Sequence, residues 1–310
     1  MNRWRTHDDI HWTQFIVPAG LLMVVAVAAV TTETFVTEPN LRNLMRQVVT
    51  NGLISLGMLV VILSGGIDLS VGAIVALSGI VAAELQSSMP TPLAIVVAIG
   101  VATLVGLVNG GIIARFEIAP FIVTLGTMSA VRGLVYVFSE TPVTPSDPSF
   151  LTIGSAFLGP IPAIFAFTLV AYLLVSFLLN RTTPGRAIVA IGGNQEAVRL
   201  AGIDVRAHIV LAYVICALFA GIAGVVLASR VGISQPSVGA GVELDAIAAC
   251  VIGGAILGGG GGSVRGTFMG VVILGLISNL LNQFNVQSYY QQIFKGLLIV
   301  IAVLARRKER

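Results

Sequence analysis

The sequence predicts an all-α polytopic membrane protein with about ten transmembrane helices, and three observations carry that prediction. Of 310 residues, 56% are hydrophobic and only 10% are charged, against roughly 25% charged in soluble domains, and the mean hydropathy is +0.98. The apolar residues fall in runs close to the ~20 residues a helix needs to cross hydrocarbon. Basic residues cluster in alternate connecting segments, the pattern that sets orientation in a bilayer. A backbone in lipid must satisfy its own hydrogen bonds, so the apolar runs are read as helices.

Windows of about 20 residues place spans near residues 14–32, 47–64, 67–86, 93–114, 118–138, 161–180, 208–229, 244–260, 265–284 and 288–305. The first run, Phe15 to Val30, is long enough to cross and lacks a small-residue cleavage site, so it reads as a retained span and not a signal peptide. With the N-terminus inside, the inner segments hold Arg3, Arg5, Arg115, Arg181, Arg186, Arg199, Arg206, Arg265, Arg306, Arg307, Lys308 and Arg310, twelve of the seventeen Lys and Arg. Only Arg42, Arg46, Arg132 and Arg230 fall at outer ends, with Lys295 inside the last span, so both termini are expected in the cytoplasm. The chain is expected to form one multi-pass domain, residues 1–310, in the cytoplasmic (inner) membrane, in contact with lipid. The segment from Ser139 to Pro160 is proline-rich and free of Lys and Arg, which suits a structured outer loop. The net charge of +3 reflects orientation, and no soluble domain offers the basic face that nucleic-acid binding needs.

Offsetting the chain by 167 lays "GGIDLSVGAIVALSGIVA" from Gly65 on "GISQPSVGAGVELDAIAA" from Gly232, with nine of eighteen positions identical. Ser70, Val71, Gly72 and Ala73 match Ser237, Val238, Gly239 and Ala240 without a gap. The two copies run in opposite senses through the membrane, so the repeat is read as inverted, spans 2–5 corresponding to spans 7–10. Inverted repeats with interrupted helices are a recurring transporter architecture.

In "SGGIDLSVGA", Gly65, Gly66 and Gly72 allow non-helical backbone, while Asp68 with Ser70 can cap the next helix. A carboxylate within a bilayer is costly unless it faces protein or water, so Asp68 is a candidate for the solute path as well as for a cap, and the two roles are compatible. Glu243 and Asp245 in the repeat mate suit one helix cap and one vestibule-facing carboxylate. Asn109, Asn279 and Asn282 suit hydrogen bonds between helices, or to solute hydroxyls.

The longest cytoplasmic stretch lies within residues 181–207. Pro184 and Gly185 are expected to end the preceding helix, Gly192 and Gly193 to break the chain again, and Asn194 to cap a short helix that stops at Gly202. Ala197, Leu200 and Ala201 would share one side of it, and Glu196 and Arg199 the other; a helix lying flat on the membrane is the alternative.

Several patterns point to no chemistry. "LGGGGGSVRG" lacks the lysine of a phosphate-binding loop, since Lys295 and Lys308 are the only lysines, and its glycines suit a tight turn with close helix packing. His7 and His11, beside Asp8 and Asp9, read as a solvated tail and not as metal ligands, and His208 has no evident partner. Cys216 and Cys250 lie in apolar runs and support neither a disulfide nor a metal site. No catalytic constellation and no bound cofactor are expected.

Four stretches, "SGGIDLSVGAIVAL", "APFIVTLGTMSAVRGL", "TPGRAIVAIGGNQEAVRLAGI" and "ELDAIAACVIGGAILGGGGGSVRGTFMG", resemble the ribose-type permease subunits of ABC importers, grouped with branched-chain amino acid permeases. The resemblance runs in order from about residue 40, and "GGIDLSVG" with the "GGNQEAVRLAGI" loop brings it nearer the sugar-importing branch. It implies a dimeric pore built with a second permease copy, a cytoplasmic two-cassette ATPase that holds the ATP and magnesium, and an external sugar-binding protein. It also implies that Gly193, Asn194, Glu196, Ala197, Arg199, Leu200, Ala201 and Gly202 form the helix that couples to the ATPase. The unbroken glycines of "GGGGGSVRG" depart from some relatives. Two other readings remain: an ion-coupled secondary transporter, with Asp68 its sole candidate for the coupling ion, and a permease for branched-chain amino acids or nucleosides.

Overall fold

A computed structural model describes residues 20–23, 25–27, 30 and 32–307, with residues 298–307 as backbone. The tail carrying His7, Asp8, Asp9 and His11, and most of the first expected span, lie outside the described residues. Among these residues the protein is mostly helical, and six helices are long and apolar enough to cross a membrane: α1 (Glu38–Leu63), α3 (Thr91–Phe116), α4 (Pro120–Phe138), α6 (Ala163–Arg181), α9 (Val205–Val231) and α11 (Val264–Gln283). Shorter helices are α2 (Val71–Glu84), α5 (Pro148–Ser155), α7 (Thr183–Gly193), α8 (Gln195–Leu200) and α10 (Val242–Ile252), and α12 (Ser288–Arg307) closes the chain. Every expected span after the first overlaps one of these helices, six of which have the length and composition of a span.

The core forms around α1 and α9. The most apolar stretch of α1 is 83% buried and that of α9 is 61% buried, against 17% for α4. The stretch Val48–Leu63 of α1 is buried on all sides apart from Asn51, and its largely apolar composition suits that central position. Residues such as Leu53, Met58 and Ile62 of α1 pack with Val71 and Ile74 of α2 and with Tyr213, Cys216 and Ala220 of α9. Close approach of α3 to α9 depends on small residues: a Cβ at Gly110 would lie 2.7 Å from the Val210 Cα, and one at Gly106 would overlap the Tyr213 carbonyl oxygen. On the periphery, α6 exposes Phe167, Val170, Leu173, Leu174 and Phe177, the surface expected of a lipid-facing span.

Two expected spans are interrupted. Residues 244–260 were read as a continuous span, but α10 ends at Ile252, and Gly254, Gly259 and Gly260 adopt positive φ. The chain leaves helical geometry at those left-handed glycines, while Gly253 lies against the Gly266 backbone of α11 with no room for a Cβ. In the window 67–86, α2 begins only at Val71, after a polar turn.

The segment at 139–160 is structured, as expected. It holds α5 and a short antiparallel hairpin in which β1 (Phe157–Leu158) pairs with β2 (Ile161–Pro162). Asp147 caps α5 by accepting the Ser149 N–H at 2.8 Å, and also accepts the Thr91 hydroxyl from the start of α3. Those bonds, Thr91 foremost, hold its carboxyl below the usual carboxylate range. Because the folded value is depressed, the clamp contributes fully above the ordinary carboxylate value of about 4 and is lost as pH falls through the depressed value. Hydrogen-exchange protection over residues 141–155, taken relative to the intrinsic rate at each pH, should therefore hold from about pH 7 down to about pH 5 and fall only at lower pH. Asp147→Ala should lower that protection at neutral pH, the difference from the native chain disappearing at low pH, and unaltered protection in that variant would dismiss the clamp.

Candidate functional site

The turn between α1 and α2 is built around Asp68. Ser64 ends α1, its hydroxyl donating to the Val61 carbonyl at 2.8 Å, and Gly65 turns the chain at φ 90°. Asp68 and Ser70 are fully buried. One carboxylate oxygen of Asp68 accepts both the Ser70 N–H, at 2.9 Å, and the Ser70 hydroxyl, at 2.5 Å. Asn109 of α3 donates to the Ser70 oxygen at 2.9 Å and accepts the Thr127 hydroxyl of α4 at 2.6 Å. The hydroxyls of Thr124 and Tyr213 donate to the Ile67 carbonyl at 3.3 and 3.4 Å. A carboxylate, four hydroxyls and an amide thus tie α3, α4 and α9 to the turn that leads into α2. The second oxygen of Asp68 has no partner among the described residues.

Three expectations are corrected here. Ser70 does not cap α2 with its hydroxyl, which is committed to Asp68 and Asn109, so Asp68 closes a local turn just ahead of the helix. Gly66 and Gly72 lack positive φ, so neither is needed for irregular backbone. Their value is close approach. A Cβ on Gly66 would overlap the Tyr213 hydroxyl, and one on Gly72 would overlap the Gly239 carbonyl oxygen and lie 2.6 Å from Glu243 Oε2.

The contact between Gly72 and Gly239 joins matched positions of the two "SVGA" runs and sets the first turn of α2 against the irregular run ahead of α10, with Glu243 of the first α10 turn alongside. Glu243 caps α10 by accepting the Gly241 N–H at 3.2 Å. Asp245 turns instead to Lys295 of α12, at 2.8 Å, with both side chains largely enclosed. Arg132 of α4 donates to the Pro236 and Val238 carbonyls at 2.6 and 2.7 Å, holding the irregular run that leads into α10. Sequence reasoning missed Arg132, Lys295, Thr127 and Tyr213. The solitary lysine in an apolar span was the one available signal for any of them. Asn279 and Asn282 make the interhelical bonds considered for them, Asn279 to Asn40 at 2.9 Å and Asn282 to Gln291 at 2.8 Å.

The segment 181–207 forms two helices. Pro184 and Gly185, expected to end a helix, instead begin α7: α6 stops at Arg181, Thr182 caps α7 by accepting the Gly185 N–H, and proline suits a first turn, where no N–H is needed. Asn194 accepts the Ala197 N–H at 2.9 Å and starts α8, and Gly202 at φ 79° ends the run, both as expected. Val198 packs inward with Ile191 and Val205, while Ala197, Leu200 and Ala201 face outward, Leu200 at 78% exposure. Glu196 and Arg199 pair at 2.7 Å on the surface, and that bond holds the Glu196 carboxyl below its usual range. His208, expected to lack a partner, has its Nδ1 2.6 Å from the Asp204 carbonyl.

Between α8 and the Asp68 turn lies a junction of bare backbone. The Gly260 N–H donates to the Leu63 carbonyl at the end of α1, at 3.1 Å. A Cβ on Gly259 would lie 2.7 Å from the Gly192 Cα and 2.8 Å from the Gly65 Cα, and one on Gly260 would lie 2.8 Å from the Gly193 Cα. The glycine-rich turn therefore fills the space between the end of α1 and the residues leading into α8, a position that only residues without side chains can share.

Helices interrupted inside a bundle of long apolar helices, their first turns abutting, define a multi-pass membrane transport protein. The chain belongs to the family described as the permease component of branched-chain amino acid transport systems, whose profile matches residues 40–303. It is 43% identical to the ribose import permease protein of Bacillus subtilis over 94% of this chain and 91% of that one. Its identity to the ribose import permease protein of Escherichia coli K12 is 38%, over 94% and 92% of the two chains. The L-arabinose transport system permease protein of the same strain is also 38% identical, over 96% and 91%. No solved structure is significantly similar.

Removing the Asp68 acceptor leaves the Ser70 N–H buried without a partner, which costs about 1–3 kcal/mol. Asp68→Ala should lower the unfolding midpoint in detergent, and Asp68→Asn, which keeps an acceptor oxygen, should lower it less; equal losses would point to the charge and not to the bonds. For the second ion pair, Lys295→Met should destabilise by somewhat less than the roughly 3–5 kcal/mol of a fully buried pair, since both groups retain some exposure. Adding Asp245→Leu should recover part of that loss, and a simple sum of the two effects would count against an enclosed pair.

Proposed function

We propose that this chain is the membrane-spanning permease subunit of an ATP-driven importer of a pentose or similar sugar, placed in the cytoplasmic membrane with both termini inside. The relatives named for ribose and L-arabinose import support the substrate class. ATP and magnesium then belong to a two-cassette ATPase on the cytoplasmic side, an external binding protein delivers the sugar, and a second copy of this chain completes the pore. The ten-span, inverted-repeat topology is part of the same reading. It is supported by the meeting of Gly72 with its repeat equivalent Gly239, which is where a two-fold axis between the halves would pass.

The observation that carries the reading is the presentation of α8. Its Leu200 projects outward beside the Glu196 and Arg199 pair, while its one buried residue anchors it to α7 and α9. On this reading Gly193, Asn194, Glu196, Ala197, Arg199, Leu200, Ala201 and Gly202 engage the ATPase. The glycine junction then passes the displacement of α8 to Leu63 and Gly65, and so to the Asp68 turn. Gly65, Gly66, Asp68, Ser70, Gly72, Glu243 and Asp245 shape the broken helices beside the solute path. Asp68 itself is shut inside the protein in this conformation, so its proposed role is to hold the turn in place and not to touch sugar.

With the ATPase and binding protein co-reconstituted, Leu200→Asp and the double variant Glu196→Arg/Arg199→Glu should cut uptake about tenfold or more, as loss of a central interface anchor does. Membrane insertion should be unaffected. Gly192→Val should uncouple ATP hydrolysis from uptake while leaving the ATPase bound, whereas Gly126→Ala, which has open space around the added carbon, should transport normally. Wild-type uptake in the α8 variants would remove the coupling role, and uptake by the chain alone under an ion gradient would replace the ATP-driven reading.

A further inference from the structure

Beside the glycine junction, a cavity of about 960 Å³ opens between α6, α7 and the start of α11. Three arginines line it: Arg181 ends α6, Arg186 lies in the first turn of α7, and Arg265 lies in the first turn of α11. No aspartate or glutamate lines the cavity, and among the described residues none of the three arginines has an ion pair. The three arginines are exposed and come from separate parts of the chain, so they place like charge at one cavity with no protein counter-charge. The remaining wall is of a different kind. Leu173 and Phe177 line the cavity and are 70% and 62% exposed on α6, the helix whose outer face is apolar along its length. Ser176 and Asn180 lie between the apolar and the basic portions.

We propose that this cavity binds one anionic phospholipid from the inner leaflet, its phosphate held by Arg181, Arg186 and Arg265 and its acyl chain laid along Leu173 and Phe177. The proposal rests on the membrane orientation proposed above and is independent of the sugar. Phosphate suits the site because a guanidinium can donate two parallel bonds to its oxygens. A lipid suits it better than a free phosphate ion because the charged end grades into an apolar wall on a helix surface that already faces hydrocarbon. Basic pockets between transmembrane helices on the cytoplasmic side follow the same logic. A soluble acidic partner would leave Leu173 and Phe177 against water, which the charge pattern alone does not require. Since Leu63 and Gly262 also line the cavity, the bound lipid would press on the end of α1 at the junction.

The test uses the purified full-length chain in mixed micelles, with bound lipid read by native mass spectrometry. Phosphatidylglycerol should be retained in preference to phosphatidylcholine, and R186Q/R265Q should weaken that retention about fivefold for each arginine removed. R186K/R265K, which keeps both charges, should retain the lipid and shows whether loss in the glutamine variant reflects charge or misfolding. Equal retention of the two lipids, or retention unchanged in R186Q/R265Q, would overturn the proposal. Displacement of phosphatidylglycerol by inorganic phosphate would reassign the cavity to a free anion. If R186Q/R265Q keeps the lipid but no longer assembles with the ATPase, the arginines serve that partner and the lipid reading fails. Because no readout depends on uptake, the result stands apart from the fate of the transport assignment.

Discussion

Helices that stop partway through an apolar bundle leave backbone groups that no water can reach, and an unsatisfied one in hydrocarbon costs several kcal/mol. Much of the polar chemistry in this protein answers that constraint. The Leu63 carbonyl at the end of α1 receives the Gly260 N–H, the Ile67 carbonyl receives two hydroxyls, and the Ser70 N–H goes to Asp68. At the second interruption, Arg132 serves the Pro236 and Val238 carbonyls. Each interrupted segment is bonded to a neighbouring helix, so a broken helix is fastened across the bundle where an unbroken one would be self-sufficient.

Glycine supplies the other half of the arrangement. Where Gly72 meets Gly239, and where Gly192, Gly193, Gly259 and Gly260 crowd the end of α1, main chains touch directly. Such contacts have no long side chains whose rotamers can absorb a displacement, so movement of one segment is passed to the next. In the proposed importer this matters because α8, which offers Leu200 to a partner, lies next in the chain to Gly192 and Gly193. The tight junction and the Asp68 turn are then consecutive parts of one path, reaching from the cytoplasmic loop to the paired first turns of α2 and α10.

The charged residues divide by the same logic. Arg181, Arg186 and Arg265, at element ends, are exposed, while charges inside the bundle are paired or bonded, as Lys295 is to Asp245 and Arg132 is to carbonyls.

Local chemistry was enough to read the helices, the caps at Asn194 and Gly202, and the two ends of the repeated "SVGA" run, because apolar periodicity, capping and backbone freedom depend on near neighbours in the chain. The same reasoning mistook Pro184 and Gly185 for a helix end, since proline disrupts a helix interior yet favours its first turn, and only the placement of α6 decides which applies. It extended α10 to residue 260 because composition alone does not show which glycines of a long run turn left-handed, as Gly254, Gly259 and Gly260 do. The partners of Asp68 and Lys295 come from helices tens of residues away, as do the walls of the arginine-lined cavity. The sequence by itself determined the elements and their polarity; the tertiary structure decided which polar groups meet, because burial and pairing arise only when distant segments pack.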